Sequence, residues 1–395
     1  KSGETIVSIP AAKLADDGPV YDREAREPEY LAESQSWNAS TISDLQPEEV
    51  LTALEKLLGH PTIASKEWIY RQYDHRVMAD TVVDPGHSSG VIRIKTDSGE
   101  KYVSIANDCN NRYCYLNPRK GGIIAIAECM RNLVCSGATP LAMTNNLNFG
   151  NPYNREIFYM FREAVTGLAD ACKHFDIPVI GGNVSLYNQG PDGAIDPTPT
   201  VSLAGLIESI DHVTTREIKN GDEVFLLLGD FPDEIGASLY LQTQYELKTG
   251  DAPDIDLHAA GRLYDFTLEQ IKNGRVHAAH DISEGGLLVT LSEMLFGETT
   301  FGAELNLNPT PDAGRIDALL FGESQNRIVL AVPPTFVESV VEAANDASVP
   351  VHELGTATKA PVFNLSISGK TIFQTETSKL RSIWDEAIPA YMSRI

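Results

Sequence analysis

The stretch that most restricts this chain is Pro178-Val179-Ile180-Gly181-Gly182-Asn183-Val184-Ser185-Leu186-Tyr187-Asn188. The apolar run from Ile177 to Ile180 reads as a buried strand, and it ends on two glycines followed at once by Asn183 and Ser185. Bare backbone after a strand lets the chain turn sharply. It also lets a phosphate or a nucleotide-bound cation approach the peptide N–H groups. An ordinary turn carries the same letters, so the surrounding sequence has to decide.

Two other segments share the chemistry. Residues 107–112 and 145–151 are rich in Asn, Asp and Gly, and each follows an apolar run. Amide side chains can hydrogen-bond a base or a phosphate, and Asp108 offers a hard oxygen for a cation such as Mg²⁺. Three such loops together favour a small ligand over three unrelated turns.

The order of elements gives a mixed class, α+β followed by α/β. Residues 1–45, with Pro10, Pro19 and Pro28 and little periodicity, read as a linker or arm. Pro47 opens a helix with Val50, Leu51, Leu54, Leu57 and Leu58 on one face and Gly59 as its stop. A hairpin follows, 91–95 with 102–106 around Asp97-Ser98-Gly99, then a helix from Gly121-Gly122 to Cys135 and another from Glu156 to His174. Domains are expected at 46–208, sheet-rich, and at 209–395, α/β, the latter with strands near 223–228, 276–281 and 326–332 and a late hairpin at 362–374. No short repeat occurs.

The net charge of −24 argues against nucleic acid or an anionic membrane face as partner, yet leaves room for a small phosphorylated ligand held by backbone amides. Five cysteines without a C-x-x-C pair fit a reducing cytoplasm with free thiols, and no zinc site is expected. No run of eighteen apolar residues and no signal-peptide core is visible. The first residue is Lys1, and the sequence reads as a piece of a longer protein.

Other candidates each have a bland counterpart. Gly121-Gly122 could open an anion site at a helix start, or could only allow close packing. Arg131 could neutralise phosphate or snorkel to solvent. His280-Asp281 could be an acid/base pair, or Asp281 a helix cap before Ser283-Glu284. Glu323-Ser324-Gln325 could hold a polar substrate or be a solvated turn. The G-x-x-x-x-G-K-[ST] and G-x-G-x-x-G patterns are absent, so any nucleotide site is of another type.

Six segments in order resemble one family. Tyr70-Arg71-Gln72-Tyr73-Asp74-His75, Asp108-Cys109-Asn110, Arg131 to Ala138, Asn146 to Pro152, Gly181 to Asn188 and Ala279 to Gly286 look like phosphoribosylformylglycinamidine synthase, in its small bacterial synthetase subunit. The resemblance covers the C-terminal half of that subunit and implies an aminoimidazole ribonucleotide synthetase-like fold, an A domain followed by a B domain. It implies an ATP- and Mg²⁺-dependent ligase of purine biosynthesis that converts formylglycinamide ribonucleotide and glutamine-derived ammonia to the amidine. The implied partners are the N-terminal half of the same subunit, a glutaminase subunit and a small accessory subunit; alone, this half could pair with itself.

Residue by residue, the resemblance places nucleotide contacts at Asn145 and Gly182, a Mg²⁺ ligand at Asn183 and a substrate contact at Ser185. It places no catalytic residue here, since the catalytic histidine belongs to the other half. Asn145 stands where the family pattern has Asp, an amide in place of a carboxylate. Asp108, Asn110, Arg131, Asn132, Asp281, Glu323, Ser324 and Gln325 fall where a degenerate second site would lie. The alternatives are a stand-alone relative of the superfamily, such as aminoimidazole ribonucleotide or selenophosphate synthetase, and a non-catalytic nucleotide-holding module.

Overall fold

Alternating burial along its strands gives the first sheet one packed face and one open face. The structure, a computed structural model, describes residues 3–18, 20–97, 99–309 and 314–394. Ser98 of the expected turn, Pro19 of the arm and Lys1 lie outside the described residues. Strands β1 (Thr81–Val83), β2 (Gly90–Thr96), β3 (Gly99–Asp108), β4 (Thr139–Asn148), β5 (Val179–Ser185) and β6 (Thr198–Ile207) form the sheet in the order β1-β2-β3-β6-β4-β5. All its pairings are antiparallel except β4 with β5. On β6, Val201, Leu203 and Ile207 are buried, while Thr200, Ser202, Ala204 and Leu206 between them are half-exposed. That is the two-residue period of a sheet covered on one side only.

Helices cover the packed face. Helix α1 (Val50–Leu58) precedes the sheet; α2 (Asn111–Leu116), α3 (Pro118–Cys135) and α4 (Arg155–His174) lie within it in sequence. Asn117 caps α3 by accepting from Lys120 N at 3.1 Å, and Pro118 takes the first helical position. The helix thus starts three residues before Gly121. The expected anion site at Gly121-Gly122 is therefore not there, since both glycines are buried inside the helix. A Cβ on Gly121 would lie 2.6 Å from Cys114 N, and one on Gly122 2.4 Å from the Ala164 carbonyl oxygen of α4. Close packing is what these glycines provide.

The second sheet is buried on both faces at one end and partly open at the other. Its strands are β7 (Val224–Leu228), β8 (Ala278–Asp281), β9 (Gly302–Leu307), β10 (Ile328–Val332), β11 (Val351–Thr358), β12 (Val362–Ile367) and β13 (Lys370–Glu376), in the order β8-β10-β7-β11-β9-β12-β13. Every residue of β7 and β10 is buried, as continuous apolar runs require. Phe225, Leu227, Val329 and Ala331 face a core shared with α1, α6 (Gly286–Met294) and Leu380 of α7 (Thr377–Met392). Leu226, Leu228, Ile328 and Leu330 face the opposite way, into the same core as α3, α5 (Leu257–Lys272) and the first sheet. One apolar core therefore runs through the border between the two sheets.

Two expectations of organisation are adjusted by packing. Val50, Leu54, Leu57 and Leu58 lie in the core of the second sheet, so α1 packs with the second unit and not with the first. The arm is not extended throughout. Glu29–Gln35 is helical with Leu31 buried, and Trp37, Ala39, Ile42 and Leu45 pack against the second core. Strands β1, β9 and β11 had no counterpart in the sequence reading.

Candidate functional site

The ends of β3, β6, β4 and β5 bring the amide-rich segments together. Segments 145–148 and 181–185, expected as loops, are strand, and β5 is the exposed edge of the sheet. Asn145, Asn146 and Asn148 of β4 stand opposite Gly182, Asn183 and Ser185 of β5. On the other side, Thr144, Asn146 and Asn148 stand opposite Ser202, Thr200 and Thr198 of β6, and Asn107 of β3 opposite Ser202. With a period of two, Asn107, Ser202, Thr144, Asn146, Asn183 and Ser185 share the open face. They carry hydroxyls and amides, with no formal charge.

Hydrogen bonds tie this patch together. Asn183 Nδ2 donates to Asn146 Oδ1 at 3.0 Å and to Ser185 Oγ at 3.1 Å, and the Ser202 hydroxyl donates to Asn107 Oδ1. Asn145 is opposite buried Val201 and so points to the other face. A Cβ on Gly182 would stand 2.5 Å from Asn145 Oδ1, so the glycine leaves room for that amide. Asn145 and Gly182 thus sit on one side of the sheet edge, and Asn183 and Ser185 on the other.

A second polar group is buried at the border between the two sheets. Arg131, fully buried, donates to Gln325 Oε1 at 2.9 Å and to Glu128 at 3.3 Å, with Asp281 at 4.0 Å. It does not snorkel. Asn110 caps α2 through Tyr113 N at 3.1 Å and donates to Glu284 at 3.0 Å. Glu323, also buried, accepts from Arg112, the Tyr113 hydroxyl, Leu239 N and Gly285 N. It is not a solvated turn. Asp281 caps no helix; its carboxylate lies 3.4 Å from His280 Nδ1, while His280 Nε2 meets Glu293 at 2.9 Å. Asp108 Oδ2 and Asp281 Oδ2 have no hydrogen-bond partner among the described residues.

The charges perturb one another as burial and proximity require. Burial and then Glu284 push the Asp108 carboxyl well up; burial and then Asp108 do the same to Glu128. Burial alone would lower His280, yet its hydrogen bonds to Asp281 and Glu293 outweigh it and hold the imidazole at about 9. Of the residues expected at a second site, Asp108, Asn110, Arg131, Asp281, Glu323 and Gln325 meet here. Asn132 only donates to the Glu128 carbonyl within α3, and Ser324 bonds Glu234 instead. No group of three or more His, Cys, Asp or Glu side chains converges to hold a metal among the described residues.

Glu128 and Glu293 escaped the sequence reading, while Arg112 and Glu284 entered it only as members of the segments 107–112 and 279–286 and not as site residues. Glu128 and Arg131 sit one turn apart on an otherwise apolar stretch of α3, and a charged pair at core positions was the available signal. Asn107 and Asn146 entered only as members of polar segments, and Thr144, just before the segment 145–151, was not singled out. Their strand period of two would have put Thr144, Asn146 and Asn148 on one face.

Comparison with known proteins agrees with this architecture. The AIR synthase related protein N-terminal domain matches residues 86–207, and the corresponding C-terminal domain matches 219–368. The phosphoribosylformylglycinamidine synthase subunit PurL of Salinibacter ruber is 42% identical over 393 residues, covering 98% of this chain and 51% of the relative. That of Alkaliphilus metalliredigens is 40% identical, over 99% and 52%. The chain spans about half the length of these curated relatives. Among solved structures, T. maritima PurL complexed with FGAR superposes with a TM-score of 0.69 at 17% identity, over 84% of this chain and 53% of that one. PurLQS from Thermotoga maritima gives 0.59 at 18%, over 72% and 45%. Carrying both domains in succession, the chain belongs to the AIR synthase related family.

Proposed function

We propose that this chain is one half of an ATP-dependent C–N ligase that forms formylglycinamidine ribonucleotide from formylglycinamide ribonucleotide and glutamine-derived ammonia. The observation that carries the reading is the open face of the first sheet. Its strand ends hold the amide patch, and beyond them Ile92, Ile94 and Ile105 are exposed, with Lys101 opposite Ile94 at the margin. Such a face, next to a half-built polar site, fits a second domain of the same kind laid against it. The relatives, about twice as long, supply the place for that domain.

Asn145 and Gly182 would contact the nucleotide and Ser185 the phosphorylated substrate. Asn183 fits a Mg²⁺ role, because its Nδ2 is committed to Asn146 and Ser185 and its Oδ1 is left as a neutral hard oxygen. Bound there, the cation would offset charge on the transferring phosphoryl group. With no carboxylate in the patch, the anionic ligands and the catalytic histidine would come from the other half. A glutaminase and a small accessory subunit would complete the assembly, in the cytoplasm.

A second element of the proposal is a degenerate nucleotide site at the buried polar group beside α3, where the resemblance places it. Asp108 and Asp281 each keep an unpartnered oxygen there, and carboxylates crowd around Arg131. Calorimetry on the two-half assembly tests this: a second tight ATP equivalent is expected, and a single one overturns it. For the main reading, ammonia, ATP and formylglycinamide ribonucleotide are given to this chain alone and to the chain paired with the relatives' other half. Turnover only in the pair is expected. Turnover by the chain alone would favour a stand-alone synthetase, and none in either would leave a nucleotide-holding module.

A further inference from the structure

We propose that Asn146 is a positioning residue which fixes the polarity of the Asn183 amide and, through it, that of the Ser185 hydroxyl. The proposal rests on the reading of Asn183 as cation ligand and Ser185 as substrate contact.

A primary amide presents an oxygen acceptor at one end and two N–H donors at the other, and rotation by half a turn exchanges them. On an exposed strand nothing intrinsic selects one end. Here Asn146, directly across the β4–β5 pairing from Asn183, presents Oδ1 to Asn183 Nδ2 at 3.0 Å. The other amide hydrogen goes to Ser185 Oγ at 3.1 Å, two residues on along the same face. Both donors are then consumed inside the patch, and Asn183 can offer only its oxygen outward. Ser185 Oγ, having accepted from Asn183, keeps its own hydrogen to donate to an oxygen of a ligand. One amide thus presets an acceptor for a cation and a donor for an anionic or carbonyl oxygen, side by side. Asn148, on the same face, donates to the Asn146 backbone carbonyl at 3.0 Å and leaves the Asn146 side-chain amide to Asn183.

The test uses two readouts. With ¹⁵N-asparagine labelling of this chain, Asn183→Ala identifies the Asn183 side-chain amide signals. Asn146→Ala is expected to move both amide-proton resonances towards free-amide positions, whereas Asn146→Asp, whose carboxylate can only accept, keeps them near their original place. In the assembly with the relatives' other half, Mn²⁺ binding followed by electron paramagnetic resonance in the presence of AMPPCP should weaken about tenfold in Asn146→Ala, and stay the same or tighten in Asn146→Asp. Unmoved Asn183 signals in Asn146→Ala overturn the positioning role while leaving the cation reading intact. Mn²⁺ affinity that ignores Asn183→Ala overturns the cation reading and, with it, the consequence claimed for Asn146. Equal weakening by Asp and Ala at position 146 also overturns the proposal, since it would mean that Asn146 donates.

Discussion

Glu323 ties three other parts of the fold together, taking hydrogen bonds from Arg112 and Tyr113 of α2 and from the backbone at Leu239 and Gly285. Removing it strands a buried guanidinium, so Glu323→Ala should cost about 3–5 kcal/mol in urea unfolding. His280 provides a pH-dependent counterpart. Its folded pKa of about 9 lies above the value near 6.5 of an unfolded histidine. Its contribution is therefore fully present below about pH 6.5 and is lost as pH rises through about 9. The wild-type stability advantage over His280→Gln should shrink across that window by on the order of 3 kcal/mol. A difference flat from pH 6 to 10 would contradict this. At this scale the sequence was informative about identity and silent about depth: Asp108, Arg131, Asp281 and Glu323 were all singled out, but composition near a strand end does not say whether a carboxylate meets water or another charge.

For whole elements, glycine offers the sharpest contrast. Gly122 lets α3 touch the backbone of α4, and the 2.4 Å approach of a new Cβ to a carbonyl oxygen leaves nothing flexible to move aside. Gly122→Ala should destabilise by about 1–3 kcal/mol. Gly261, inside α5, faces open space, so Gly261→Ala should stabilise by about 0.5–1 kcal/mol through helix propensity. Thermal melts of the pair check both signs. The strands of the site were misplaced as loops because Asn and Gly are poor strand formers. Pairing across β4, β5 and β6 overrides that preference, and pairing partners far apart in sequence are invisible to a local reading. Helix α4 was legible almost to the residue, since its period of 3.6 and its Asn154 cap are local signals.

The whole molecule shows where a linear reading ends. Order and type of the two domains followed from the resemblance, and the periodicity of strands and helices agreed with it. That α1 packs with the distant second sheet could not be seen, because its apolar face fits either unit equally well. The open face makes its own prediction. Ile105→Lys places a charge in the middle of the apolar part without touching the packed side, so its melting temperature should match that of the wild type. Association with the other half, or self-association of this half, should fall in sedimentation velocity. An unchanged sedimentation profile in both settings would remove the face from the interface.

The core that continues across the two sheets bears on how the chain is made. Leu203 and Val201 of β6 share that core with Leu330 of β10, Val340 and Val349. A growing polypeptide that has finished its first sheet at Ile207 still lacks these later side chains. At about 5–20 residues per second, Val349 follows only about seven to thirty seconds later. During that interval β6 and α3 present apolar surface that nothing yet covers, so emergence from the ribosome is the stage at which this protein most needs a holding chaperone.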